Sequence, residues 1–105
     1  DNLSQNIWLI GAGPMAIDYL KVFNDLEINY MVIGRGKRSA ESFTGQTGVQ
    51  PYVGGLSRFL ANDPAPCTHA IVTVGIEELA NTTIQLLEYG VKNIMVEKPA
   101  GLNAE

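Results

Sequence analysis

The chain predicts a doubly wound α/β domain, a parallel sheet covered by helices on both faces. Three observations carry that expectation. Short apolar runs alternate with stretches of helical periodicity along most of the 105 residues. The first run, residues 6–10, has no polar alternation, the mark of a parallel strand buried on both faces. A glycine-rich turn, Gly11-Ala12-Gly13, follows it directly and opens a helical pattern. Alternation of this kind requires parallel strands joined by right-handed crossovers.

The elements follow in order. After the glycines, Met15, Ile17, Leu20 and Phe23 recur at helical spacing with Asp18, Lys21 and Asn24 between them, which predicts a helix of about three turns. Residues 30–33 form the second expected strand, broken by Gly34-Arg35-Gly36. A short helix is expected over 39–43 and a loop over 45–48, between Gly45 and Gly48. Residues 49–53 read as a third strand at a sheet edge, because Pro51 has no N–H to donate. Leu56, Phe59 and Leu60 predict a packed helix stopped by Asn62-Asp63-Pro64-Ala65-Pro66. Residues 70–74 are the fourth strand. The clearest helix is 77–89, with Leu79, Ala80, Thr83, Ile84 and Leu87 expected inward, Glu77 and Glu78 in its first turn, and Gly90 as its stop. Residues 91–96 are the fifth strand. The expected order is 3-2-1-4-5, which puts the proline-bearing strand at the edge.

Composition bounds what such a domain does. Hydrophobic residues at 46% and charged residues at 17% fit one folded domain over 1–105 and exclude a disordered tail. A net charge of −4 argues against a nucleic-acid surface, but not against a phosphate held locally by backbone N–H groups. The single cysteine, Cys67, makes no internal disulfide and no metal cluster, so a cytoplasmic setting is expected. No apolar stretch approaches the roughly 18 residues of a spanning helix, so no membrane partner is expected. The chain opens on Asp1 rather than Met and reads as a piece of a longer protein.

The glycine turn carries the first chemistry. Gly11 lets the chain turn sharply out of strand 1, and Gly13 lets backbone approach a pyrophosphate at a helix N-terminus. Pro14 and Met15 open the helix, where proline's missing N–H costs nothing. Ala16 takes the third position, where a small side chain lets helix and strand pack closely. This Gly-x-Gly-x-x-Ala turn, placed between a strand and a helix, is the Rossmann fingerprint for a dinucleotide. The bland alternative is a tight turn without a ligand. About 20 positions further on, an acid usually holds the adenosine ribose hydroxyls; here stands Gly34, followed by Arg35-Gly36-Lys37-Arg38-Ser39. A carboxylate would repel a 2′-phosphate, whereas Arg35 first, with Lys37, Arg38 and Ser39 behind it, would attract one. NADP is therefore favoured, with NAD left open. Val74 and Gly75, after the fourth strand, are expected to line the cofactor.

Near the other end, strand 5 runs into Glu97-Lys98-Pro99. Together with the glycine turn, this segment resembles the Gfo/Idh/MocA oxidoreductases (glucose–fructose oxidoreductase, inositol dehydrogenase and relatives). The resemblance spans nearly the whole chain. Residues 53–60 and Leu86-Leu87-Glu88-Tyr89-Gly90 share it, and Glu-Lys-Pro is its specific part. It implies the N-terminal, NAD(P)-binding domain of an enzyme that moves hydride between a nicotinamide cofactor and a sugar or polyol-like alcohol or carbonyl. It implies that Lys98 is catalytic beside the nicotinamide and that Glu97 and Pro99 border the cofactor. It also implies a sixth strand and a second, substrate-binding domain, neither within this chain, which alone is then expected to turn nothing over. Two departures stand out: Val74-Gly75-Ile76 replaces the family's usual Thr-Pro, and no histidine follows. His69 precedes strand 4, at the end opposite the crevice, and is expected to be structural. A non-catalytic dinucleotide-binding or nucleotide-sensing module is the alternative, and Glu-Lys-Pro speaks against a methyltransferase-like adenosine binder. A homo-oligomer through the open edge of strand 5 is a further expectation.

Overall fold

A computed structural model of the protein describes residues 6–97. Four parallel strands, β1 (Ile7–Ile10), β2 (Tyr30–Ile33), β3 (His69–Val72) and β4 (Ile94–Val96), lie in the order β2-β1-β3-β4. The helices are α1 (Pro14–Leu26), α2 (Lys37–Thr47), α3 (Gly55–Leu60) and α4 (Ile76–Tyr89). The architecture is thus α/β with an all-parallel, Rossmann-like sheet. Among the described residues no helix is long and apolar enough to cross a membrane.

Side-chain alternation divides β1 between two cores. Trp8 and Ile10 point into one, with Ile33, Val72, Phe59 of α3 and Leu86 of α4. Ile7 and Leu9 point into the other, with Val32, Ile71, Leu20 and Phe23 of α1 and Phe43 of α2. All four β1 residues are buried, as a strand covered on both faces requires. Trp8 meets Phe59 edge to face, centroids 5.0 Å apart, a geometry that complements the ring quadrupoles.

Three expectations fail here. Five strands in the order 3-2-1-4-5 become four. The segment 49–53 makes a single parallel bridge, Ile33 to Tyr52, with the Tyr52 N–H donating to Val32 O at 2.8 Å. Tyr52 spends both its N–H and its carbonyl on the β2 chain, at Val32 and Gly34, and beyond it Gly54 (φ 125) and Gly55 (φ 89) bend the chain away. The expected loop over 45–48 is instead the last turn of α2, in which Thr44 and Thr47 hydroxyls donate to the Ala40 and Phe43 carbonyls. Gly45 sits exposed in that helix, and Gly48 (φ 79) ends it. Finally, α4 buries Thr82 and Leu86, with Leu79 and Tyr89 packed beside them. Ala80, Ile84 and Leu87, expected inward, are exposed, the last two by 51% and 56%.

Candidate functional site

Helices of a parallel α/β sheet run opposite to its strands, so α1, α2 and α4 all begin at the strands' carboxyl end. The chain leaves β1 for β2 on one side and returns to β3 on the other. The crevice beyond the strands at such a reversal is where open α/β sheets bind ligands. A cavity of about 560 Å³ lies there, floored by Ile10, Ile33 and Leu56 and walled by the chain following β1, β2 and β3.

The N-caps of those three helices are glycines: Gly13, Gly36 and Gly75. Their φ values, −104, −94 and −67, suit any residue, and none makes a side-chain cap. A Cβ at any of the three would meet nothing within 4 Å. Neither backbone nor packing therefore calls for glycine, although Ser, Thr, Asp and Asn are the residues that cap helices well. All three line the one cavity. Its rim carries three sets of helix-start N–H groups, the partially positive ends of their dipoles.

Gly11 and Gly34 are different. Gly11 has φ +116, and a Cβ there would lie 2.5 Å from Thr73 Oγ1 and 3.0 Å from the Thr73 carbonyl oxygen. Thr73 is itself fixed, its hydroxyl donating to Ile10 O at 2.9 Å. Gly34 is buried, its N–H donates to Tyr52 O at 2.7 Å, and a Cβ would stand 3.3 Å from Ala12 Cβ. Any side chain at this position crowds Ala12, so packing disfavours an acid there whatever the ligand. The next residue, Arg35, is pinned by its backbone, whose carbonyl accepts the Gly54 N–H at 3.2 Å. Its guanidinium forms an ion pair with Glu78 in the first turn of α4.

A second recess of about 310 Å³ lies between α1 and α2. Gly13, Pro14 and Ile17 line one side, Arg38, Ser39 and Ser42 the other, and Ser39 borders the main cavity as well.

Of the residues expected to hold a cofactor, Gly11, Gly13, Gly34, Arg35, Ser39, Val74 and Gly75 line the main cavity, and Pro14 and Arg38 line the recess. Met15, Ala16, Lys37 and Glu97 line neither. Ala16 is fully buried among Leu9, Leu20 and their neighbours, the close helix–strand packing its size allows. Glu97 is anchored: its N–H donates to Val72 O at 3.0 Å, and its carboxylate accepts the Tyr19 hydroxyl from α1. Burial, reinforced by that hydrogen bond and the Glu97 charge, pushes the Tyr19 phenol up to about 12. Lys98 and Pro99 lie outside the described residues. His69 opens β3 at the amino end of the sheet, exposed and away from the cavity.

Residues 78, 81, 82 and 85 of α4, all polar, form a stripe along the cavity wall. Their spacing of three and four was the available signal for this wall, overshadowed by the apolar residues of the same helix. Gln85 Oε1 accepts the Ser57 hydroxyl of α3 at 2.8 Å across the far end. The arrangement suits an elongated, polyanionic ligand with a flat apolar part: N–H groups for phosphates, Leu56 and an Arg35 guanidinium for a ring, amides for its edges. Against known proteins, the chain matches no family model, no curated protein and no solved structure.

Proposed function

We propose that this chain is the cofactor-binding domain of a nicotinamide-dependent oxidoreductase, binding NADP in preference to NAD. The three glycine N-caps around one cavity carry the proposal. Each leaves helix-start N–H groups without a side-chain partner, and none is glycine for any reason within the protein. A pyrophosphate along Gly13 would supply the missing acceptors. A 2′-phosphate would lie toward Gly36, within the span of Arg35, Arg38 and Ser39.

The chemical step rests on the Glu97-Lys98-Pro99 resemblance. There, Lys98 would hold a proton at the oxygen of a sugar or polyol-like substrate. A second domain would close over that substrate. The fixing of Glu97 to Tyr19 and Val72 supports this role, because it ties the peptide before Lys98 to the sheet.

The test is calorimetric titration of NADP and NAD into the chain and into Gly13→Val. The wild-type chain is expected to bind both, NADP more tightly. Gly13→Val should lose at least about two decades in affinity, its branched side chain filling the pyrophosphate path, with its circular dichroism unchanged. Binding that survives the substitution would make the turn merely structural and defeat the proposal.

A further inference from the structure

We infer that Glu78 moderates the cofactor preference of this site, by holding Arg35 in a latch that a 2′-phosphate must open. The inference rests on the dinucleotide reading proposed above. Arg35 follows β2 and Glu78 lies in the first turn of α4, so their ion pair joins two walls of the cavity that both residues line.

The arginine is placed for this by its surroundings. Gly54 and Gly55 donate their N–H groups to the Arg35 and Gly34 carbonyls at 3.2 and 2.8 Å. A Cβ on Gly55 would touch Arg35 Cγ at 3.5 Å, so the stem of the side chain lies across a glycine surface toward α4. The glutamate is not explained by its helix alone. Glu77 already complements the α4 dipole from the same turn, and it does not line the cavity. A glutamate three residues after an N-cap commonly folds back onto that cap's N–H; Glu78 reaches across to Arg35 instead.

The pair has a consequence for selectivity. Arg35 with Glu78 is a neutral unit, so the guanidinium offers a 2′-phosphate no net charge until the carboxylate lets go. The side chains are 67% and 40% exposed, and an exposed pair is weak, so a doubly charged phosphate can displace the carboxylate where a ribose hydroxyl cannot. NADP must therefore break the pair, whereas NAD leaves it shut. Glu78 moderates the NADP preference that Arg35, Arg38 and Ser39 would otherwise impose.

Calorimetric titration of NADP and NAD into Glu78→Gln, Arg35→Ala and the double variant tests this. Freeing Arg35 from one exposed pair is worth about two- to fivefold in affinity. Glu78→Gln should tighten NADP by that factor and leave NAD within about twofold. On the Arg35→Ala background the same substitution should change NADP by less than about twofold. An unchanged NADP affinity in Glu78→Gln overturns the latch, and so does a gain that persists without Arg35, which would mean simple repulsion. A weakened NAD would mark Glu78 as a ribose ligand and overturns it too. Failure of every variant and of the wild-type chain to bind either cofactor overturns the proposed function, and this inference with it.

Discussion

The two ends of the sheet are finished differently. At the amino end the chain closes on itself. Thr68 Oγ1 accepts the Asn6 N–H at 3.0 Å and donates to Asn6 O at 2.9 Å, and Asn93 Nδ2 donates to Thr68 O at 3.0 Å. The helix ends that point there are closed by backbone. Gly48 N–H returns to Thr44 O at 2.8 Å, Val91 N–H to Leu86 O at 3.0 Å, and Ile28 N–H to Phe23 O at 3.0 Å. At the carboxyl end, α1, α2 and α4 start on glycines with no side-chain cap. The same chain has the residues to cap a helix and leaves them out at three places around one cavity. One end completes the fold by itself; the other leaves helix-start donors open around a cavity, as the proposed function requires.

That contrast breaks most sharply at Gly11, which sits at the open end but belongs to the fold. Gly11→Ala forces a side chain into φ +116 and against the Thr73 carbonyl, a cost on the order of 3 kcal/mol. Urea denaturation should show that loss in Gly11→Ala and almost none in Gly13→Ala, two positions along the same turn. Comparable losses at both would mean that Gly13 too is required by the backbone.

How much of this was legible in the sequence follows from what kind of force decides each feature. β2 lies at 30–33 as expected, and β1 within the expected 6–10, because an apolar run bounded by turn residues has few other places to go. α1 followed from periodicity and Pro14. The third strand was not legible, since its fate turned on two successive positive-φ glycines after Tyr52 rather than on its own residues. Gly45 reads locally as a helix breaker, yet Phe43, 1% exposed, anchors the turn beside it, and tertiary burial outweighs the roughly 1 kcal/mol that glycine costs in a helix. In α4 apolar residues surround most of the helix. Periodicity could not choose between the 79/82/86 face and the 80/84/87 face; contact with the Trp8 and Phe59 cluster chose. Within the site, the glycine turn was visible because it is local. The Arg35–Glu78 pair spans separate crossovers, and Gly34 depends on Ala12 and Tyr52, so neither could be read from spacing.

A smaller effect tests the closed end. Thr68→Val removes one acceptor and one donor facing Asn6 and keeps the shape. The Asn6 N–H then loses its partner in a half-buried place, which should cost about 1–2 kcal/mol. Cofactor affinity should stay within about twofold, since Thr68 lies a full strand away from the cavity. A large change in binding would mean that the two ends are coupled rather than separate.

The smallest expected effect is the most telling, because it should reverse sign between stability and binding. Gly75 caps α4 with φ −67 and ψ 163, a conformation serine adopts readily, and the space beside it is open. In Gly75→Ser the new hydroxyl would accept an N–H from the first turn of α4. The unfolded chain would also lose the extra freedom of glycine. Together these should stabilise the fold by about 0.5 kcal/mol, a rise of a few degrees in Tm for a domain of this size. The same hydroxyl would occupy donors and space that the proposed cofactor would use, so affinity for NADP should fall by several-fold. Thermal denaturation and titration on one preparation read both effects. A stabilised variant that binds as well as the wild type would show that the glycine cap of α4 is not kept open for a ligand, and would confine the anion site to the starts of α1 and α2.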